Sequence, residues 1–401
     1  MKRIFKILKT LIISKYQFTI PKNIEILIFG NKRLDECENI FKKRKFLVIE
    51  SDFFSTRTFY LTPKLLINSI KFNRGNLYKS YVLSLISLIK PKIAFTFTDN
   101  SFLFSYLTKR LKDKIHFIAV QNGSRYQIYE HKEMFKKKIT KVDLNKNFFF
   151  SNYLSFGKIE QDDFKKHKIK VKNILQTGNL KLDNFIRRNK NRKFKKVNDI
   201  CFLSDFESWE EKLGKKKLEL AFAQLIKYCI RFKKKHRISM KFVYKKKTYL
   251  IENNPPYLRE KNFYKNYLNE NEFKILQNSI VERKNKFTTY NLIAKSKVVI
   301  ATMTTMLREA HMLKSKFLAC NLSDINAYDF PIKGIFTLNR CSYESFEKRL
   351  IKILKINNSK YLKLTKKSNK YLINYDSNYP TIEIIKNFIN QKLNEETLKN
   401  L

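Results

Sequence analysis

The chain contains little cysteine and little histidine, and neither residue type is clustered. The 401 residues include five cysteines, no two of which form a Cys-x-x-Cys pair: Cys37, Cys201, Cys229, Cys320 and Cys341. The five histidines are equally scattered. This distribution argues against a disulfide framework and against a zinc site, and it fits a reducing compartment. We therefore predict no bound metal and no cofactor.

Long hydrophobic runs are also lacking. No segment reaches the ~18–20 uninterrupted apolar residues that a membrane-spanning helix needs. Residues 1–18 are basic with a short apolar stretch, and without a small-residue cleavage site they do not indicate a signal peptide. This segment has two interpretations, an amphipathic helix lying on a membrane surface and a helix packed on the first domain. We expect a cytoplasmic protein, with peripheral contact to the inner face of the plasma membrane as a hypothesis.

Acidic residues are scarce relative to basic ones. The chain has 35 Asp and Glu against 84 Lys and Arg, which gives a formal net charge of +49. Such a charge attracts polyanions, among them nucleic acid, anionic lipid and phosphorylated substrates. The lysines are spread through nearly every segment, as compositional drift would produce, and no basic and aromatic stripe marks one face. We therefore expect no nucleic-acid partner, and an anionic membrane surface remains a candidate partner.

The order of apolar runs and helical patterns predicts an α/β protein with two domains. In the first half the predicted strands are 24–30, 45–50, 92–98, 114–120, 148–156 and 173–178, with helical character at 64–90 and 101–112. In the second half the predicted strands are 199–205, 238–244, 297–304 and 316–322, with helices at 214–233, 288–296, 306–314, 343–355 and 380–397. Residues 245–272 are polar and contain Pro255 and Pro256, which favours a long loop. We place the domains at 1–186 and 199–375, with a basic linker at 187–198.

One strand-to-helix turn carries the clearest chemical signal. The strand in 297–304 ends in Thr302, Thr304 and Thr305, and a helix begins at once. Ligands of open α/β sheets bind at the carboxyl ends of strands, and backbone N–H groups at a helix start suit a phosphate. Glu309, about one turn later, could accept a ribose hydroxyl. The structural alternative is an ordinary threonine N-cap followed by an ordinary helical glutamate.

Polar residues also follow two strands of the first half. Residues 121–125 read Gln-Asn-Gly-Ser-Arg, where Arg125 could meet an anion, although a plain Asn-Gly turn explains the same pattern. Asp99 and Asn100 follow another strand, where Asp99 could be a base or bind a hydroxyl, or could form an Asx turn or helix cap. A third stretch, 153–185, has glycine at two strand ends, which suggests close backbone approach to another group.

These elements, in this order, resemble bacterial surface carbohydrate biosynthesis proteins, which belong with the GT-B-like glycerol-phosphate polymerases of teichoic acid and the UDP-N-acetylglucosamine 2-epimerases. The resemblance covers most of residues 90–322. It rests on Gln121-Asn122-Gly123, Phe156-Gly157, Gly178-Asn179-Leu180-Lys181-Leu182-Asp183, Tyr290-Asn291-Leu292-Ile293 and Thr304-Thr305-Met306-Leu307-Arg308-Glu309-Ala310. Three departures are Asn122 where many relatives have His, Lys314 where a Gly is usual, and the lack of a G-x-G-x-x-G turn after the first strand.

The resemblance implies a GT-B fold, with two Rossmann-like domains facing a cleft and a C-terminal helix, 376–401, that returns to the N-terminal domain. It implies a metal-independent transferase of surface polysaccharide synthesis, such as capsule or O-antigen, with a nucleotide-sugar or CDP-polyol donor in the C-terminal domain. The N-terminal domain would bind a lipid-linked or saccharide acceptor. Candidate catalytic residues are Asp99, Asn122 and Arg125. Candidate donor-binding residues are Thr304, Thr305, Glu309, Tyr290, Lys245 and Gly178. Candidate acceptor-side residues are Gln121, Gly123 and Asn100.

Two other functions remain open. A sugar-nucleotide epimerase on the same fold would need acid and base groups, usually including a histidine, and the chain is poor in histidine. A non-catalytic protein that binds a polyanion would need clustered basic and aromatic residues on one face.

Overall fold

The structure is a computed structural model, and it describes residues 2–30, 33–42, 44–72, 75–124, 148–206, 215–245 and 255–399. The candidate catalytic residue Arg125 lies outside the described residues. The chain divides into two compact α/β units. The first unit takes the described residues within 2–122, 148–179 and 375–399, and the second takes 123–124 and the described residues within 180–374.

The first unit is built on a parallel sheet of six strands. The unit also has a separate pair of parallel strands. Its eight strands, in chain order, are β1 (Lys15–Gln17), β2 (Ile26–Phe29), β3 (Phe46–Ile49), β4 (Thr58–Tyr60), β5 (Ile93–Thr96), β6 (His116–Val120), β7 (Phe149–Ser155) and β8 (Lys170–Gln176). The large sheet has the order β3-β2-β5-β6-β7-β8, and β1 pairs only with β4. The helices are α1 (Lys2–Ile13), α2 (Leu34–Phe41), α3 (Pro63–Lys71), α4 (Leu77–Ile89), α5 (Phe102–Leu111) and α6 (Ile159–Lys166).

The second unit repeats this architecture with a five-stranded parallel sheet. Its strands are β9 (Asn198–Leu203), β10 (Met240–Val243), β11 (Ser296–Ala301), β12 (Lys316–Asn321) and β13 (Thr337–Asn339), in the order β10-β9-β11-β12-β13. The helices that follow in the chain are α7 (Leu180–Arg188), α8 (Lys215–His236), α9 (Pro255–Tyr267), α10 (Glu270–Gln277), α11 (Thr288–Ala294), α12 (Thr305–Met312), α13 (Tyr343–Lys355), α14 (Asn358–Thr365) and α15 (Asn369–Leu372).

The central strands of both sheets are buried on both faces. Every residue of β2, β5 and β12 is buried, and β11 exposes only Lys297. Continuous apolar runs of this kind belong to parallel strands covered by helices on both sides, which is why the sequence pattern identified them. The predicted strands of both halves are observed, with ends that differ by at most three residues.

The prediction of a long loop over 245–272 is wrong, because α9 and α10 occupy most of it. The two prolines begin α9, where a fixed φ suits the first helical turn and no N–H is lost from the helix. A capping box starts α10, in which the Asn269 side chain accepts the Glu272 N–H and the Glu272 carboxylate accepts the Asn269 N–H. Buried Glu260 and Tyr264 give α9 an inward face that the polar composition concealed.

The end of the chain belongs to the first unit, although it follows the second unit in sequence. The last helix, α16 (Thr381–Lys399), packs against α2, and Arg44 Nη2 donates to Asn390 Oδ1 over 3.4 Å. Its inward residues, among them Ile385 and Ile389, are almost fully buried. Among the described helices, none is both long and apolar enough to cross a membrane.

Candidate functional site at the carboxyl edge of the second sheet

Each sheet has one point at which the strand order reverses. In the first sheet this point lies between β2 and β5, and in the second it lies between β9 and β11. Connections leave the sheet in opposite directions there, so the carboxyl ends of the two strands open a crevice. A ligand site is therefore expected beyond Phe29 and Thr96 in the first unit, or beyond Leu203 and Ala301 in the second.

At the second sheet's reversal point, a carboxylate joins the two strand ends. Asp205, two residues after β9, accepts the Thr302 N–H over 2.7 Å and the Met303 N–H over 3.0 Å through one oxygen, Oδ2. Thr302 and Met303 are each 4% exposed, so these amides depend on the protein for hydrogen bonds. Asp205 thus fixes the turn between β11 and α12. No sequence motif predicts this role for Asp205.

The start of α12 gathers hydroxyl groups and a buried cation. Thr304 caps the helix, and its Oγ1 accepts the Met306 N–H over 3.4 Å. Thr305 Oγ1 accepts the N–H of Ser124, also in the second unit, over 2.8 Å. Arg308, only 2% exposed, donates from Nη2 to Ser124 Oγ over 3.1 Å. The helix dipole and the guanidinium both favour an anion at this end.

Glu309 and Lys245 lie in different settings of the second unit. Glu309, on the second turn of α12, is 4% exposed. Lys245 follows β10 and is half-buried; its N–H donates to Glu260 Oε1 over 2.9 Å, and its carbonyl accepts from Arg283 Nη1 over 2.9 Å. The backbone of Lys245 is therefore held by two side chains, Glu260 and Arg283.

Tyr264 forms a hydrogen bond with the residue that follows β9, Ser204. Its hydroxyl lies 2.7 Å from Ser204 Oγ, which in turn accepts the Phe206 N–H over 3.2 Å. Burial, with the nearby Glu260 carboxylate, raises the pKa of Tyr264 well above its ordinary value. The hydroxyl therefore stays protonated and acts as a neutral hydrogen-bonding group.

Tyr290 joins two of the motifs that carried the family resemblance. Its ring is fully buried and stacks on Phe185 of α7, with centroids 5.1 Å apart. The Lys181 ammonium lies 5.2 Å from the centre of the same ring, a cation–π contact. On α7, Arg187 Nε lies 3.4 Å from Asp183 Oδ2. Tyr290 is a packing residue that links α7 to α11, because its ring is buried among these groups.

The reversal point of the first sheet is closely packed. Gly30 has a φ of +81°, and a Cβ there would lie 3.0 Å from Thr98 Oγ1, so only glycine fits without strain. Thr96 Oγ1 donates to the Phe29 carbonyl over 2.9 Å and ties the two strand ends together. The Arg33 guanidinium lies 5.3 Å from the Phe97 ring, and its buried Nη1 has no hydrogen-bond partner among the described residues.

The candidate residues of the first unit have unequal settings. Asp99 is 2% exposed and accepts a hydrogen bond from the Tyr153 hydroxyl over 2.9 Å. Gln121 is fully buried, with Nε2 donating to Glu160 over 2.8 Å and Oε1 accepting the Phe156 N–H over 2.6 Å, so its side chain is a structural clamp.

The remaining candidates lie at the ends of strands. Asn100 is exposed, and Asn122 is half-buried. Gly123 is half-buried and belongs to the second unit. Gly178 follows β8 in the first unit, where its N–H donates to the Ser155 carbonyl over 3.3 Å. Among the described residues, no group of three or more His, Cys, Asp and Glu is placed to hold a metal ion.

The chain is similar in structure to the wall teichoic acid polymerase TagF, at 11% sequence identity over 93% of this chain and 91% of that chain, with a TM-score of 0.53. It is also similar to the UDP-GlcNAc 2-epimerase from Methanocaldococcus jannaschii, at 13% identity over 92% of this chain and 100% of that chain, with a TM-score of 0.51. A TagF variant of similar score was solved after a soak with CDPG. No protein-family model and no curated protein sequence matches the chain.

At these identities the similarity establishes the fold alone. The fold is GT-B-like, an α/β architecture of two Rossmann-like domains, which confirms the predicted fold class. The structural neighbours are enzymes with this fold. A glycosyltransferase from Rickettsia africae ESF-5 is also similar, at 14% identity over 97% of this chain and 100% of that chain, but its TM-score of 0.46 is too low to carry an argument.

Proposed function

We propose that this protein is a glycosyltransferase, or a polyol-phosphate transferase, of surface polysaccharide synthesis that uses a nucleotide-activated donor. The observation that carries this proposal is the start of α12. There a capped helix N-terminus, two threonine hydroxyls and the buried Arg308 guanidinium lie at the reversal point of the second sheet. This combination suits the diphosphate of a nucleotide donor.

The remaining donor contacts follow from the same edge. The Glu309 carboxylate is the candidate acceptor for ribose hydroxyls, one turn beyond the phosphate-binding end of α12. Lys245, at the end of neighbouring β10, would add positive charge near the leaving diphosphate. With a nucleoside diphosphate sugar, negative charge grows on the leaving diphosphate as its bond to the sugar breaks. With a CDP-polyol, the bond between the two phosphates breaks and the charge grows on the leaving CMP. In both cases fixed dipoles and basic side chains stabilise the transition state. Tyr290 and Gly178 remain proposed donor-side residues with supporting roles.

The acceptor is proposed to bind to the first unit, with Asn100 as a candidate contact and Asn122 as a candidate catalytic residue. Gly123, the first residue of the second unit, remains an acceptor-side candidate, and Arg125 remains a catalytic candidate outside the described residues. An acceptor hydroxyl must lose a proton as it attacks the donor. Asp99 is the candidate base, although its burial and its bond to Tyr153 suit a residue that positions the acceptor. Gln121 acts through the clamp described above.

The positions of the histidines favour transfer over epimerisation. The described histidines each lie at or just before the start of a strand, at the amino edge of a sheet: His116, His167, His236 and His311. The carboxyl edges, where the donor is proposed to bind, have no histidine among the described residues. An epimerase must remove a proton from the sugar and return it, and these histidines are placed at the wrong edge for that task.

A binding screen with UDP-, GDP-, CDP- and CMP-activated donors, read by calorimetry, tests the proposal. We expect one nucleotide class to bind, and Glu309→Gln to weaken its binding at least tenfold, roughly the loss of one charge-assisted hydrogen bond. Glu347→Gln is the matched control, because Glu347 pairs with Lys235 and His236 in the same unit. Failure of every donor to bind would contradict the proposal. Epimerised sugar nucleotide formed without an acceptor would establish the alternative activity.

A further inference from the structure

The first helix of the chain turns its apolar side outward. At 100° per residue, five apolar side chains of α1 fall within an arc of about 120°. These residues are all exposed: Ile4 63%, Phe5 72%, Leu8 52%, Leu11 36% and Ile12 81%. A helix packed on a protein core normally buries such an arc, so its exposure here needs an explanation.

The inward side of α1 is polar. Thr10 is 4% exposed and Ser14, just after the helix, is 8% exposed. Ser14 Oγ donates to the Thr56 carbonyl over 3.0 Å, and the Lys6 ammonium lies 4.5 Å from the centre of the Phe54 ring. The helix is thus attached to the first unit through hydrogen bonds and a cation–π contact. Ser14 and Lys6, which make these two contacts, lie outside the apolar arc.

Other exposed apolar side chains of the first unit lie in β1, just after β1 and in α3. Phe18, which follows β1, is 72% exposed, and Tyr16 in β1 is 42% exposed. Strand β4, the partner of β1, leads within three residues into α3, which exposes Leu66, Ile67 and Ile70 at 46%, 54% and 71%. Neither residues 2–22 nor residues 57–72 contain an Asp or Glu, whereas the first segment has five lysines and the second has two.

We propose that this face of the first unit, the α1 face, docks on an anionic lipid bilayer with the apolar arc of α1 inserted among the lipids. A helix with an apolar arc and a basic polar side lies in the plane of a bilayer surface. Charge complementarity selects this occupant over a second copy of the chain, because two copies would bring two acid-free basic surfaces together. The formal charge of +49 adds to that repulsion. This inference does not depend on the proposed transferase activity.

The insertion of apolar side chains distinguishes this docking from attraction by charge alone. Attraction between lysines and anionic lipid is screened by salt over about 8–10 Å. Burial of Phe5 and Ile12 in the acyl region is not screened. As salt rises, binding to vesicles should therefore fall and then reach a plateau above zero. If charge alone held the protein on the bilayer, binding would be lost at high salt.

The test is co-sedimentation of the full chain with phosphatidylcholine vesicles and with vesicles containing about 30% phosphatidylglycerol, at low and high salt. We expect the double variant Phe5→Asp/Ile12→Asp to lower partitioning at least tenfold, roughly the loss of two buried apolar groups. The matched control is Leu220→Asp/Leu364→Asp, which changes side chains of the second unit that are 48% and 58% exposed. Far-UV circular dichroism checks that both variants fold.

Two outcomes would overturn the proposal. Equal vesicle binding by the α1 variant and the wild type would show that the apolar arc does not insert. Absence of binding to either vesicle, together with a dimer in sedimentation velocity that Phe5→Asp/Ile12→Asp dissociates, would assign the face to a second copy. Retained binding by the control and lost binding by the α1 variant would support the bilayer.

Discussion

The most direct test of the candidate site concerns Asp205. Its Oδ2 accepts the N–H groups of Thr302 and Met303 over 2.7 and 3.0 Å, and both of those residues are buried. A hydrogen bond to a charged acceptor contributes about 1.5–3 kcal/mol, so two contribute at most about 6 kcal/mol. Because Asp205 is only half-buried, water can replace part of this interaction. We expect Asp205→Ala to lower the free energy of unfolding of the second unit by about 3 kcal/mol.

The isosteric variant Asp205→Asn separates geometry from charge. An amide oxygen can accept both N–H groups, so the turn is kept and only the charge is lost. We expect a cost of about 1 kcal/mol for Asp205→Asn. Urea unfolding followed by circular dichroism measures both variants, and calorimetry measures nucleotide binding. Asp205→Ala should also weaken nucleotide binding, because the turn that carries Thr304 loses its anchor.

Asp52→Ala is the control for this comparison. Asp52 accepts the Ser55 N–H over 3.0 Å and the Ser55 hydroxyl over 2.8 Å, but it is exposed and lies in the first unit. Its removal should cost about 1 kcal/mol or less and leave nucleotide binding unchanged. If Asp205→Ala unfolds like the wild type, the two hydrogen bonds do not hold the turn and the structural reasoning fails.

Three further predictions concern stability. Gly30→Ala should destabilise the first unit by about 1–3 kcal/mol in urea, because its φ of +81° and the nearby Thr98 oxygen leave no room for a Cβ. Gln121→Leu should cost about 2–4 kcal/mol by the same measurement, since it removes the hydrogen bonds that Gln121 makes with Glu160 Oε1 and with the buried Phe156 N–H, whereas exposed Asn100→Ala should change little. Burial, with repulsion from Lys316, lowers the pKa of Lys196 to about 8 from 10.5, so the folded chain loses this proton before the unfolded chain does. Protonated Lys196 therefore destabilises the folded chain fully below about pH 8, and this destabilisation declines towards pH 10.5. We expect Lys196→Met to raise the free energy of unfolding by roughly 1–2 kcal/mol at pH 7, and by less at pH 10, in thermal melts.

The sheets were predictable from the sequence because their strands are continuous apolar runs. β2, β5 and β12 are buried along their length and β11 exposes only Lys297, so these strands lack the alternation of apolar and polar residues that a half-exposed strand shows. The start of α12 was predictable for a similar local reason, since a threonine cap follows directly on a buried strand. α9 was missed because Pro255 and Pro256 also signal loops, and only tertiary packing of Glu260 and Tyr264 distinguishes the two cases.

Contacts between distant parts of the chain could not be predicted in this way. Asp205 and Thr302 are 97 residues apart, and Ser124 and Thr305 are 181 residues apart. An aspartate after a strand is indistinguishable from a turn residue until its partner is known. The one signal for Asp205 is its position at the carboxyl end of a strand, where ligands of open α/β sheets bind. Arg33 gave no comparable signal, because its position depends on a left-handed φ of 59° before α2.

If the second unit binds a nucleotide donor as proposed, Asp205 restricts where the donor's diphosphate can bind. In a strand-to-helix turn, free backbone N–H groups are the usual anion site, but here the Thr302 and Met303 amides already bind a carboxylate. A phosphate brought to those amides would meet the charge of Asp205 and be repelled. The first turn of α12, with Arg308 beneath it, is the position at which a phosphate gains from the dipole and the guanidinium without that repulsion. In the proposed donor site, the second phosphate needs positive charge from outside the turn, and Lys245, which follows β10 in the same unit, is the candidate for that role.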